Sequence, residues 1–144
     1  MLTFKETTDV RSQVYQDALQ IRTAVFVQEQ QVDPSEEIVD EEGPVYFVGY
    51  IDETAVVTAR AFEERPGVWH IQRVAVKKQY RHQQLGSQLM EYMEQSARQQ
   101  QIQTLTLGAQ DQAQAFYLKL GYHVHGDGFL DAGIKHHQMN KSLL

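Results

Sequence analysis

The hydrophobic spacing of the chain changes period between Val68 and Glu94. Val68–Val76 is rich in β-branched and aromatic residues and reads as a strand. From about Gln84 to Gln100 the apolar residues Leu85, Leu89, Met93 and Ala97 recur at i, i+4, i+8 and i+12, the signature of a helix with one buried stripe. A short polar turn joins the two. Such a junction leaves several backbone N–H groups without helical partners at the helix N-terminus, where they attract anions. The fold has to be built round that junction.

The flanking sequence supplies the rest of a sheet. Leu2 to Glu6 alternates weakly as a first strand, and Asp9 is placed to cap a helix carrying Val10, Val14, Ala18, Ile21 and Val25, with Phe26 widening the same face. That helix ends before Asp33-Pro34, because proline disfavours helical geometry in the preceding residue. Ser35 to Gly43 follows as an acidic loop. Val45–Ile51 and Thr54–Glu63 read as a hairpin across Asp52-Glu53, and Arg65-Pro66-Gly67 turns the chain into Val68–Val76, giving an antiparallel meander. Ile102–Leu107 is a further strand. Gln110–Leu120 is a short helix with Ala113, Phe116, Tyr117 and Leu120 on one face, ended by Gly121. Tyr122 to Leu144 reads as two strands separated by Gly126-Asp127-Gly128-Phe129. The order β-α-βββ-α-β-α-ββ predicts an α+β fold over residues 1–144 as one domain: a mixed, mostly antiparallel sheet flanked by helices, with a right-handed crossover through the second long helix. A parallel pair joined in this way can splay and leave a cleft.

Composition excludes several classes of function. Hydrophobic residues make up 42% and charged residues 22%, no apolar run approaches the ~20 residues of a membrane span, and MLTFKETTDV lacks a signal peptide's apolar core. The expectation is a soluble cytoplasmic protein with no membrane partner. The absence of cysteine removes disulfides, a thiol nucleophile and thiolate metal ligands. Net charge is −6, and Glu29, Asp33, Glu36, Glu37, Asp40, Glu41 and Glu42 fall within fourteen positions. This argues against a nucleic-acid partner, which needs a basic face. Most of such a run is ordinarily a solvated loop, although it also suits a cationic substrate.

The run Arg73-Val74-Ala75-Val76, a short connection, and Arg81-His82-Gln83-Gln84-Leu85-Gly86 resembles the GNAT acyl-CoA N-acyltransferase superfamily. In that family a Gln/Arg-x-x-Gly-x-Gly/Ala loop binds the pyrophosphate of acetyl-CoA through successive amides, helped by the helix dipole. Arg81 and Gly86 match, whereas Gln84 stands where the pattern has its first glycine. The resemblance implies that Arg81, His82, Gln83, Gln84, Leu85, Gly86 and Ser87 hold the pyrophosphate, and that the backbone of Val74, Ala75 and Val76 pairs with the pantetheine arm. Downstream, Gln110 to Tyr117 followed by Lys119-Leu120-Gly121-Tyr122 is similar to the family's Asn-x-x-Ala-x-x-Phe-Tyr-x-x-x-Gly-Phe/Tyr element. By that similarity Gln110 and Phe116 contact the cofactor, and Tyr117 returns a proton to the leaving thiolate. Arg22-x-x-Val25-Phe26-Val27-x-Glu29-Gln30, Ala109-Gln110 and Gly133-Ile134-x-His136-x-x-Met139 extend the similarity to the ElaA-like branch.

The resemblance implies an N-acetyltransferase that moves acetyl from acetyl-CoA to a primary amine, a small molecule or a peptide, by direct attack in a ternary complex. A non-catalytic acyl-CoA sensor or interaction module of the same fold is the alternative, and a donor longer than acetyl is a further one. His70 lies four residues before Val74, where a glutamate is the base in histone-acetylating members, so the resemblance implies His70, His136 or a water relay as the base. Strict alternation would place 70, 72, 74 and 76 on one face. His136 and His137 alternate across a strand, and the branch pattern turns His136 to the cleft. Neither their spacing nor their neighbours suit a metal. Glu36, Glu37 and Asp40 would receive a cationic acceptor, while Arg22 and Arg73 would admit one bearing a carboxylate; the sequence does not choose. Exposed C-terminal strands would let a homodimer pair.

Overall fold

The computed structural model describes residues 1–144. Strands β1 (Leu2–Thr7), β2 (Val45–Ile51), β3 (Thr54–Arg65), β4 (Val68–Val76), β5 (Thr104–Gln110), β6 (His123–Asp131) and β7 (Ile134–Ser142) form one sheet in the order β1-β2-β3-β4-β5-β7-β6. Every neighbouring pair is antiparallel except β4 with β5, which the crossover through the helix α3 (Leu85–Gln99) makes parallel. The helices α1 (Gln13–Arg22), α2 (Pro34–Glu37) and α4 (Gln114–Lys119) complete the fold. The expected α+β architecture is therefore present, with α2 added.

Alternation along β2 explains how two helices share one sheet. Phe47 points to the core under α3, beside Leu85, Leu89, Met90, Met93 and Ala97. Tyr46, Val48 and Tyr50 point the other way, against Tyr15, Ala18 and Ile21 of α1. Leu89 and Met93 are completely enclosed, and burial of such side chains is worth about 2 kcal/mol each.

Several boundaries differ from the sequence expectation. Ser12, not Asp9, caps α1 by accepting the Tyr15 N–H at 3.2 Å; Asp9 instead accepts the Arg11 N–H at 2.8 Å and shapes the preceding turn. Beyond Arg22 the helix widens to π-helical geometry over Thr23–Glu29, closed by Gln30 N–H to the Val25 carbonyl at 3.0 Å. The acidic segment is not wholly irregular, since Asp33 caps α2 with Pro34 in its first turn. The helix expected over Gln110–Leu120 starts later: β5 runs on to Gln110, and a 3-10 turn over Asp111–Ala113 leads into α4. Gly126–Phe129 does not separate the last two strands. It is an irregularity inside β6, and the hairpin turns at Ala132-Gly133 with φ +51° and +77°, the positive values a tight two-residue turn needs.

Two features of β4 position the site. Opposite β3, Arg60 pairs with Gln72 but Thr58 pairs with Ala75, so Ala59 alone faces Arg73 and Val74. This is a β-bulge, with Arg73 at φ +59°. The extra residue reverses the alternation. Val74 and Val76 consequently pack on the α3 side and Ala75 on the α1 side, and the expectation that His70 shares a face with Val74 and Val76 is corrected. Next to it, β4 and β5 pair only from Val68↔Thr104 to Ile71↔Leu107. Past Ile71 the strands part.

Candidate active site

The loop before α3 turns on two residues in the left-handed region, His82 at φ +66° and Gln84 at φ +61°. Gln84 thus takes the conformation that glycine takes at no cost, and is the N-cap residue of a 15-residue helix. The consequence lies in the hydrogen bonding. The six amides of His82, Gln83, Gln84, Leu85, Gly86 and Ser87 donate to no protein acceptor; the next amide, Gln88, closes the first helical bond to Gln84 at 3.1 Å. Converging N–H groups at the positive end of a helix dipole fit a pyrophosphate. Arg81 is otherwise engaged. Its guanidinium makes two 2.6 Å bonds to Glu29 and its Nε donates to the Val76 carbonyl at 3.1 Å, fastening the loop to the π-helical segment. Arg81 in turn holds the Glu29 carboxyl below its usual range.

A cleft of about 330 Å³ opens where β4 and β5 part. Val74, Gly108, Ala109, Gln110, Ala113 and Tyr117 line it, so one end of β5 and the start of the α4 region face the splayed part of β4. Gly86 lies against Phe116, whose Cζ would be 3.2 Å from a β-carbon there, and Phe116 packs edge-on against Tyr117 at 4.9 Å between centroids. Tyr117 is buried, yet its hydroxyl bonds to no protein group. No enclosed side-chain oxygen lacks a partner, so this hydroxyl opens on the cleft. Burial pushes its pKa up, which keeps the proton on the phenol.

Two imidazoles stand on the cleft wall. His70 is hydrogen-bonded through Nδ1 to Glu64 at 3.0 Å and stacks on Phe62, 5.3 Å away. His136 is hydrogen-bonded through Nδ1 to the Ile134 carbonyl at 2.7 Å and stacks on Phe129. A carboxylate and a carbonyl can only accept, so Nδ1 is the donor in each pair, and in the neutral imidazole that tautomer leaves the lone pair on Nε2. His137 points to Asp111 at 2.7 Å, away from His136. No group of three or more His, Asp or Glu residues is arranged to hold a metal ion.

The acidic segment serves a different purpose from the one expected of it. Glu37 is only 2% exposed and takes Arg22 Nε at 2.8 Å and Nη2 at 3.0 Å. Glu41 bridges Arg22 Nη1 at 2.7 Å and Arg60 Nη1 at 2.8 Å, and accepts the Tyr15 hydroxyl at 2.9 Å. Burial pushes the Glu41 carboxyl up, but Arg22, Tyr15 and Arg60 outweigh it and hold the group at about 2. Two corrections follow: Glu37 is an ion-pair partner of Arg22 rather than an open acceptor site, and Asp40 lies outside the cleft. Only Glu36 of the three reaches the lining as an exposed carboxylate. Sequence reasoning missed Gln72, Gln30, Phe129 and Asp131, which also line the cleft, and the clasp between Glu29 and Arg81. Glu29 and Gln30 stood in the stretch that carries the branch similarity but without a role, and the others depend on a bulge, a turn or a partner far along the chain.

The comparisons with known proteins agree with this geometry. The family model for the acetyltransferase (GNAT) domain matches residues 10–143. The chain is 36% identical over 126 residues to the N-acetyltransferase YjcF of Bacillus subtilis (strain 168), itself uncharacterized, covering 87% of this chain and 90% of that protein. It is 31% identical over 134 residues to the uncharacterized protein YyaT of the same organism, covering 88% of each. Among solved structures, an acyl-CoA N-acyltransferase from Pseudomonas aeruginosa superposes with a TM-score of 0.86 at 27% identity, over 98% of this chain and 99% of that one. Escherichia coli ElaA superposes with a TM-score of 0.84 at 26% identity, again over 98% and 99%. No helix of the chain is long and apolar enough to cross a membrane.

Proposed function

The chain belongs to the acetyltransferase (GNAT) family, and from that premise we propose that it moves an acetyl group from acetyl-CoA to a primary amine by direct attack in a ternary complex. The observation that carries this reading is the row of six unengaged amides at the start of α3, beside the parting of β4 and β5. Those amides would hold the pyrophosphate, and the free edge of β4 past Ile71 would hold the pantetheine arm as an added strand does.

Acetyl-CoA supplies an activated thioester; the residues of the chain supply proton transfer and placement. The acceptor ammonium loses its proton to Nε2 of His70, whose ring Glu64 orients through Nδ1. His136 offers the second free Nε2 on the same wall. Amides of the splayed β4 segment polarise the carbonyl. Tyr117 returns a proton to the departing sulfur, and the burial that keeps its phenol protonated suits it to that role. Family membership and a hydroxyl and two imidazoles converging on one cleft favour turnover over a sensor that only binds. The fit to ElaA, together with Arg22, Glu29 and His136, supports placement on the ElaA-like branch.

Acceptor-dependent CoA release across a panel of amines tests the reading. Tyr117→Phe should lose about 100-fold or more in kcat while its acetyl-CoA Kd stays within about twofold. His70→Gln in the same assay should lose its rate near neutral pH, and His136→Gln identifies any share carried by the second imidazole. Unchanged turnover in Tyr117→Phe would remove that residue from the mechanism. Tight acetyl-CoA binding without acceptor-dependent release would return the sensor.

A further inference from the structure

We propose that the acceptor amine carries a carboxylate and that Arg73 receives it in the cleft, a specificity that rests on the transfer reading above.

Three arginines gather on the α1 side of the sheet, and hydrogen bonding separates them. Arg22 is 1% exposed, and its Nε, Nη1 and Nη2 all donate to Glu37 and Glu41 at 2.7–3.1 Å. Arg60 is 2% exposed and is held by Glu41, Gln72 and the Val39 carbonyl. Neither can reach a substrate. Arg73 is different. It lines the cleft, and its nitrogens make only long bonds, Nε to the Glu37 carbonyl at 3.4 Å and Nη2 to the carbonyls of Glu36 and Glu37 at 3.3 and 3.2 Å. Its nearest carboxylate, Glu37 at 3.4 Å, already has both oxygens on Arg22.

The Nη1 nitrogen of Arg73 donates to no protein group. Because no enclosed side-chain nitrogen is left without a partner, Nη1 is accessible, on a side chain that lines the cleft. The cluster holds three guanidinium charges, at Arg22, Arg60 and Arg73, against the two carboxylates Glu37 and Glu41. Asp131, on the same cleft, also attracts Arg73, so what sets Arg73 apart from Arg22 and Arg60 is its free donor. A guanidinium with open N–H groups is matched in shape and charge by a carboxylate.

The backbone supports the assignment. Arg73 occupies the bulge at φ +59°, a conformation that strains a residue with a side chain and suits glycine. Splaying the strands needs that backbone shape but no guanidinium. Exposed carboxylates at Glu36 and Asp131 line the same cleft and leave room for the acceptor's ammonium before it is deprotonated. The volume of about 330 Å³ suits a small amino-carboxylate.

The test compares amino acids with their carboxamides, identical in amine but differing in charge, at saturating acetyl-CoA. The wild type should favour the acids by about tenfold or more in kcat/KM, the scale of one charge-assisted hydrogen bond. Arg73→Gly, which suits the positive φ, should bring the acid-to-amide ratio to about one. Arg73→Lys, which keeps the charge but loses the fork, should lower it severalfold and serves if the glycine variant does not fold. Equal use of acids and amides by the wild type, or a ratio that survives in both variants, overturns the carboxylate assignment alone. Bound acetyl-CoA with no transfer to any amine overturns the transfer reading and this assignment with it.

Discussion

Gln84 shows how much can rest on one dihedral angle. At φ +61° it aims the amides that follow it, and an unbranched side chain tolerates that conformation better than a β-branched one. Gln84→Val should therefore lose about 1–2 kcal/mol of stability in chemical denaturation and weaken acetyl-CoA binding measurably by calorimetry. Equal stability and affinity in the variant would show that the loop does not depend on this angle. The place of Tyr117 on the buried face of its helix was legible in the sequence from the spacing of Ala113, Phe116, Tyr117 and Leu120. Gln84 looked like a departure from the glycine pattern because propensity cannot show a non-glycine residue held at positive φ. The position of His70 relative to Val74 was misread for a similar reason. Strict alternation holds only without a bulge, and Arg73 supplies one.

At the scale of elements, the buried ion network ties α1, the segment around α2, and β3 together. Its acidic members were visible as a run of charge, but their partners Arg22 and Arg60 lie 19 positions to either side of Glu41, beyond the reach of any local pattern. The Glu41 carboxyl titrates at about 2 in the fold against an ordinary 4.5. A depressed carboxylate stabilises the fold above its unfolded value and loses that contribution as pH falls through the folded one. Stability should thus drop by about 3 kcal/mol between pH 5 and pH 2 from this group. Glu41→Gln should be less stable by a similar amount at pH 7, with the gap closing toward pH 2 in denaturant titrations. A gap independent of pH would assign the loss to packing instead. Strand and helix identities were largely readable from periodicity. The β6–β7 turn was misplaced because glycines inside β6 resemble a turn until pairing with β7 is known.

For the whole molecule, the decisive feature is a sheet that opens in its middle. The parallel pairing of β4 and β5 ends at Ile71 and Leu107, so Tyr117 on one side and His70, Arg73 and His136 on the other line one gap, and the amide row lies beside it where Gly86 packs on Phe116 and Val76. The element order implied a parallel pair with a crossover, and so a cleft. The polar lining around His70, Arg73 and His136 required the bulge, the hairpin turn and the ion network all to be in place. The proposed transfer requires acetyl-CoA to sit with its pyrophosphate on the amides of residues 82–87. Titration of the ¹⁵N-labelled protein with acetyl-CoA, followed by amide NMR, tests it most directly. Saturable shifts should concentrate at His82 to Ser87, with further shifts at Val74 to Val76 and Ala109 to Gln110. Shifts confined to other surfaces, or saturation that leaves residues 82–87 unmoved, would contradict it.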